Sequence, residues 1–188
     1  MAINHSMKKI LKALSFDGIE VEAARHLASL KAIDPMKIFH KTIDYKIYNG
    51  DYEVPVRIYL PREKATEDLP VFLFFHGGGW VTDCIDNYER ICARLASATE
   101  HIVVSVEYRL APEHPFPTGF MDCYAVAKAI YTNRFILNVN PQRITLIGDS
   151  AGGNLAAAVS LKARDDGIFN PQRQILIYPA VNNDYSET

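Results

Sequence analysis

A serine sits among glycines in Gly148-Asp149-Ser150-Ala151-Gly152-Gly153, which fits the pattern G-x-S-x-G. The segment follows the apolar run Ile144-Thr145-Leu146-Ile147 and precedes a small-residue stretch from Ala151 to about Arg164. A strand that turns this tightly into a helix imposes strained backbone angles on the serine and excludes bulky neighbours. Gly148 and Gly152 supply the room. The Ser150 hydroxyl then stands at the carboxyl edge of a sheet and at the amino end of a helix. The Ala151 N–H points the same way and can receive a developing negative charge. The chemistry is attack by a hydroxyl on a carbonyl carbon. The other reading is a glycine-rich strand-to-helix turn without chemistry.

A second signal is His76-Gly77-Gly78-Gly79-Trp80, directly after the apolar run Val71 to Phe75. Consecutive glycines let a loop bring its N–H groups close to a ligand. Two such groups beside a nucleophilic serine complete an oxyanion hole, whose donors are each worth about 2.7–4 kcal/mol. A phosphate cradle would want Gly-Lys-Ser/Thr, which is not present. His76 precedes the glycines at a strand end, where a side-chain hydrogen bond that fixes the loop is the expected role and a general base the alternative. A third segment, Tyr108-Arg109-Leu110-Ala111-Pro112-Glu113-His114-Pro115-Phe116-Pro117, is stiffened by Pro112, Pro115 and Pro117. Its expected role is structural, with Arg109 and Glu113 held together by a charge-assisted pair.

The elements that must position these groups can be read from periodicity. Residues 1–40 read as helical, with Ile10, Leu11 and Leu14 on one face and Ile19, Ala23, Leu27 and Leu30 on another. From residue 41 the period is that of strands. Ile43, Tyr45 and Ile47 alternate, Asn49-Gly50-Asp51 supplies a turn, and Val54, Val56, Ile58 and Leu60 alternate again, which predicts a β-hairpin. A polar loop follows from Arg62 to Asp68. Buried strands are expected at 71–75, 102–106, 144–147 and 175–178. Helices are expected from Asp86 to about Ala98, with Asp86 and Glu89 as a capping box, from Thr118 to about Tyr131, and from Ala151. Alternating buried strands and helices predict a mainly parallel sheet covered on both faces. Domain by domain, this gives residues 1–40 as a helical segment and 41–188 as the α/β core.

Composition narrows the partners. The chain of 188 residues is 48% hydrophobic and 22% charged, with a net charge of −2. It is long enough for a real core, and no charged block suits nucleic acid or an anionic membrane. Three scattered cysteines, Cys84, Cys92 and Cys123, make neither a disulfide framework nor a zinc site, and their odd number suits a reducing cytosol. Lys12 interrupts the apolar residues after Lys8 and Lys9, so no targeting segment is read. No apolar run approaches the roughly 20 residues that span a bilayer. The expectation is a soluble, cytoplasmic protein with no nucleic-acid or membrane partner and no metal.

HGGGW, YRLAPEHPFP and GDSAGGNLA, in this order and spacing, resemble the hormone-sensitive-lipase-like branch of the α/β-hydrolase fold, from about residue 40 to residue 180. The resemblance implies an α/β-hydrolase core with residues 1–40 as the amino-terminal part of a cap. It implies Ser150 as nucleophile, the N–H groups of Gly77, Gly78 and Ala151 as the oxyanion hole, and His76, Gly79, Asp149 and Asn154 as supporting motif positions. The reaction implied is hydrolysis of carboxylic esters, short-acyl ones first, through an acyl-serine and without a cofactor.

A serine hydroxyl needs a base and an orienting carboxylate, and in this fold the chain order is serine, acid, histidine. Of the 38 residues after Ser150 none is histidine; His5, His26, His40, His76, His101 and His114 all precede it. The later acids are Asp165, Asp166, Asp184 and Glu187, and the first two fall at the far end of the expected helix. The pattern therefore reads as an incomplete α/β-hydrolase with six strands where the family has eight, lacking the triad acid and histidine. Two functional expectations follow. One is an esterase whose carboxyl-terminal part is missing from these residues, inactive as it stands. The other is a non-enzymatic chain that binds a small molecule or partner in a retained oxyanion pocket. Residues 175–178 would form an unprotected apolar edge open to self-association.

Overall fold

The computed structural model describes residues 42–61, 69–132 and 139–182, together with Val21 and Arg25. The helical reading of residues 1–40, the polar loop 62–68, and the positions His5, His26, His40, Asp184 and Glu187 lie outside the described residues. Strands β1 (Thr42–Asn49) and β2 (Tyr52–Tyr59) form the expected hairpin, with Asn49 opposite Tyr52 and Gly50 at a φ of 60° in the turn. Strands β3 (Val71–Phe75), β4 (Ile102–Val106), β5 (Ile144–Asp149) and β6 (Arg173–Ile177) follow. Helices α1 (Ile85–Thr99), α2 (Thr118–Thr132) and α3 (Ala151–Asp166) alternate with them.

The sheet order is β1-β2-β4-β3-β5-β6. The two outer strands on one side are antiparallel, and β4, β3, β5 and β6 are mutually parallel. This is the mixed sheet that the apolar runs predict. Strand β3 is central and every residue of it is buried. Its odd members Val71, Leu73 and Phe75 pack with Val104, Leu146 and the inner faces of α2 and α3. Phe72 and Phe74 face the other way, onto Cys92, Ala93 and Ala96 of α1. Burial on both faces is why these strands lack alternation.

One register decides the site. Phe75 lies opposite Gly148 of β5 and opposite Val106 of β4. The carboxyl ends of the three strands are therefore level, and the loops leaving them meet above the same sheet edge.

Two expectations need correction. Asp86 and Glu89 do not form a capping box: Cys84 is the N-cap of α1 and makes no side-chain cap bond. Instead the Ile85 N–H donates to Glu107 Oε2 at 2.6 Å, while Asp86 pairs with Arg57 at 2.7 Å. A carboxylate brought by the chain after β4 reaches the orphan amide of the first turn, so the local cap is not needed. The last strand starts at Arg173 rather than Ile175, and it is the expected exposed edge rather than a strand buried on both faces. Ile175 and Ile177 are exposed, whereas Leu176 packs onto the core. Tyr178, at a φ of 36°, leaves the extended conformation and ends the strand just before Pro179.

Candidate functional site

Ser150 joins β5 to α3 with φ 50° and ψ −115°, and its side chain does not cap the helix. Few non-glycine residues adopt this backbone conformation, and it is held by packing from both sides. A Cβ on Gly152 would stand 1.9 Å from the Phe75 carbonyl oxygen, and one on Gly148 would stand 2.4 Å from Gly152. Helix α3 thus crosses the end of β3 at a distance only glycine permits. The Ser150 N–H donates to Ile177 O at 2.9 Å, and the Ser150 carbonyl accepts from Asn154 and Ala180 N–H at 3.1 Å each. Asn154 also donates through Nδ2 to Ala180 O at 2.8 Å, which ties the chain after β6 to the first turn of α3.

Asp149 joins the serine turn to the glycine loop. Its Oδ1 accepts from the Gly77 N–H at 3.1 Å and its Oδ2 from the Tyr88 hydroxyl at 2.8 Å. Burial raises the Asp149 carboxyl above its ordinary range, against the lowering effect of these bonds. The Gly77 N–H also lies 3.2 Å from Tyr88 Oη.

The Gly77 amide, expected among the oxyanion donors, is buried and engaged by Asp149. Gly78 and Gly79 are half-buried, and among the described residues no group accepts from either N–H. Gly78 (φ 102°), Gly79 (φ 63°) and Trp80 (φ 62°) form a left-handed run, closed by Val81 and Thr82 N–H groups donating to Gly78 O at 3.1 and 2.9 Å. A side chain on Gly78 would strike the Thr82 carbonyl at 2.3 Å. The free donors are therefore one residue further along the loop than the sequence alone suggested.

His76 is fully buried beneath this loop. Its Nδ1 donates to Gly77 O at 2.8 Å, and its ring stacks on Tyr108 at 4.3 Å between centroids. The carbonyl partner fixes the tautomer with the proton on Nδ1. Burial pulls its pKa down to about 4. Tyr108 in turn donates to His76 O at 2.8 Å. His76 is thus placed under the loop as a support.

The proline-rich connector is held by two ion pairs other than the expected one. Arg109 grips the fully buried Asp122 through Nε at 2.9 Å and Nη2 at 2.7 Å, and stacks over Tyr52 at 4.0 Å. Asn49 adds a bond to Asp122 at 2.7 Å. Glu113 is paired instead with Arg25, which reaches both of its oxygens at 2.9 Å. The distant acid on α2 is buried and already aligned with the fork of Arg109, so the nearer Glu113 is left for another cation.

The family model for the alpha/beta hydrolase fold matches residues 72–188. The chain belongs to this α/β-hydrolase family. Carboxylesterase NlhH of Mycobacterium tuberculosis is 39% identical over 174 residues, covering 90% of this chain and 53% of that protein. An arylesterase of Saccharolobus solfataricus is 39% identical over 151 residues, 80% of this chain and 48% of its own length. Among solved structures, a hyperthermophilic esterase from the archaeon Pyrobaculum calidifontis superposes with a TM-score of 0.78 at 37% identity, over 99% of this chain and 61% of that one. The chain spans about half the length of the curated relatives it matches.

Within this chain, no described histidine bonds to Ser150. His101 stacks on Phe72 at 4.0 Å, at the opposite end of the sheet. His114 is exposed in the connector. Asp165 pairs with Arg164, and Asp166 accepts from Tyr124 and pairs with Lys162. The two acids lie about 22 and 24 Å from Ser150 along the axis of α3. Among the described residues no cluster of His, Cys, Asp or Glu could hold a metal ion, and no helix is long and apolar enough to cross a membrane. Sequence reasoning missed Tyr88, Glu107 and Asp122. Tyr88 carried no motif signal, since its role depends on how α1 packs. Asp122 lies 13 residues from Arg109 and could have been weighed as its partner.

Proposed function

We propose that these residues form the nucleophile and oxyanion half of a serine carboxylic ester hydrolase. The observation that carries the reading is the Asp149 bridge, which joins the strained Ser150 turn to the glycine loop. Ser150 would attack the ester carbonyl. The N–H groups of Gly78, Gly79 and Ala151 would hold the tetrahedral oxyanion, with the last also favoured by the amino end of α3. The alcohol leaves, and water releases the acid from the acyl-serine. Asp149 and Asn154 support the turn, and His76 supports the loop. The names of the relatives support an ester as substrate.

The base and its orienting acid would come from the part of the relatives' length that these residues do not span. The 188 residues alone are expected to show no Ser150-dependent hydrolysis of p-nitrophenyl acetate. The reading frame continued past Thr188 is expected to encode a strand-end acid followed by a histidine. Its product should lose at least about 10³-fold in kcat on Ser150→Ala. Hydrolysis by that product which survives Ser150→Ala defeats the reading.

A second reading, a non-enzymatic binding chain, is favoured by the lack of any described histidine or carboxylate at the Ser150 hydroxyl. A reading frame that stops at Thr188, with ligand binding but no turnover, would select it.

A further inference from the structure

Helix α1 reaches the candidate site through Tyr88, a residue outside the three sequence motifs. Its hydroxyl donates to Asp149 Oδ2 at 2.8 Å, and the Gly77 N–H lies 3.2 Å from the hydroxyl oxygen. The Gly77 N–H also donates to Asp149 Oδ1 at 3.1 Å, which closes a three-cornered contact between α1, the serine turn and the glycine loop. The contact is tight. A Cβ on Gly77 would stand 2.5 Å from Asp149 Oδ2 and 3.1 Å from the Tyr88 hydroxyl. The Tyr88 ring lies 5.6 Å from the rings of both Phe74 and His76, so packing against β3 and its end sets where the hydroxyl falls.

A half-buried carboxylate keeps its charge only where donors meet it. Burial pushes the Asp149 carboxyl up, and the bond from Tyr88 is the largest of the effects that pull it back. Tyr88 itself stays protonated, because burial holds its hydroxyl far above the ordinary range. The other groups that face Asp149 are Cys92 of α1, Asp83 in the loop before it, Tyr108 after β4 and Tyr178 after β6. Burial raises the Cys92 thiol and the Tyr108 hydroxyl, so both stay neutral. Asp83 adds like charge that opposes ionisation of Asp149.

We infer that Tyr88 is a positioning residue for ester hydrolysis: it holds the Asp149 carboxylate against the Gly77 amide, and through that grip it sets the Gly78 and Gly79 amides at the serine turn. An anionic oxygen accepts roughly twice as strongly as a neutral one. With the Tyr88 hydrogen on Oδ2, the carboxylate stays anionic and Oδ1 keeps the stronger bond to Gly77. Tyr88→Phe leaves Oδ2 without that donor, so the carboxyl takes up a proton at higher pH and the grip on Gly77 weakens. The catalytic consequence rests on the hydrolase reading; the grip itself does not.

The grip can be read without turnover in the 188-residue protein, by NMR of the Asp149 carboxyl and the Gly77 amide across the acid range. Asp83→Asn, which suits the left-handed φ of 72° at that position, serves as the background, so that no neighbouring acid blurs the titration. The Gly77 amide shift should follow the Asp149 midpoint, and Tyr88→Phe should raise that midpoint by about one pH unit or more. Tyr178→Phe, which removes an exposed hydroxyl facing the same carboxylate, should raise it less. A Gly77 amide that ignores the Asp149 titration overturns the inference, and this arm needs no variant at Tyr88 to fold. An unmoved midpoint in Tyr88→Phe, or an equal shift in Tyr178→Phe, overturns it too. In the product of the continued reading frame, Tyr88→Phe should lower kcat several-fold near neutral pH with KM little changed. The deficit should widen as pH falls; a deficit of the same size at every pH would mark a purely structural role and overturn the inference. Ser150→Ala in that product is scored separately. Hydrolysis that survives it, beside the expected NMR titration, sinks the hydrolase reading alone. Hydrolysis lost on Ser150→Ala, with a Gly77 amide that ignores Asp149, sinks the grip alone.

Discussion

At the scale of single residues, Gly152 and His76 make the sharpest tests. A methyl group on Gly152 would meet the Phe75 carbonyl at 1.9 Å, and the backbone atoms there cannot yield without moving β3 from α3. Gly152→Ala is expected to cost about 3 kcal/mol or more in urea unfolding. His76 is neutral in the folded protein down to a pKa of about 4, against an ordinary 6.5. Between those pH values the unfolded chain binds a proton that the folded protein refuses. The stability contributed by neutral His76 is thus full above pH 6.5 and lost as pH falls toward 4. His76→Asn keeps a donor for Gly77 O but does not titrate. Its stability profile across this window should be flatter by up to about 1.4 kcal/mol per pH unit. Equal slopes for the two proteins would show that His76 does not carry the acid sensitivity.

At the scale of elements, side chains from outside each segment set its ends and connections. Helix α1 begins on Glu107, whose carboxyl is raised by burial and which reaches the Ile85 N–H at 2.6 Å. The connector after β4 is fastened to α2 by the Arg109–Asp122 pair, in which the acid is fully buried and the cation 22% exposed. Removing Arg109 leaves a buried carboxylate with Asn49 as its remaining side-chain partner. Arg109→Ala should therefore destabilise by about 3 kcal/mol, and Arg109→Ala combined with Asp122→Leu should recover part of the loss. No recovery in the double variant would mean that Arg109 acts through its stacking on Tyr52 rather than through the ion pair.

At the scale of the whole molecule, the sheet is asymmetric. Its β1–β2 side ends in a hairpin where charged pairs such as Lys46–Glu53 flank the exposed Ile43, Tyr45 and Tyr48, and its β6 side ends in a single parallel strand with Ile175 and Ile177 exposed. Unpaired strand edges with apolar side chains invite pairing with another chain. Ile175→Lys with Ile177→Lys is expected to lower the weight-average mass of the 188-residue protein in sedimentation at high concentration. An unchanged mass would show that this edge does not drive association. The strand runs, the hairpin, the six strands among the described residues and the Ser150 turn were all determined by sequence, because each depends on the sterics and burial of neighbouring residues. Glycines at 148 and 152 signal a close crossing whatever lies across it. Which amides remain free, and which charges pair, only the tertiary structure decided. The bonds concerned join positions 72 residues apart for Gly77–Asp149, 61 for Tyr88–Asp149 and 88 for Arg25–Glu113. Such partners are set by the register of β3 against β5 and by how the helices pack on the sheet, and no local pattern encodes either.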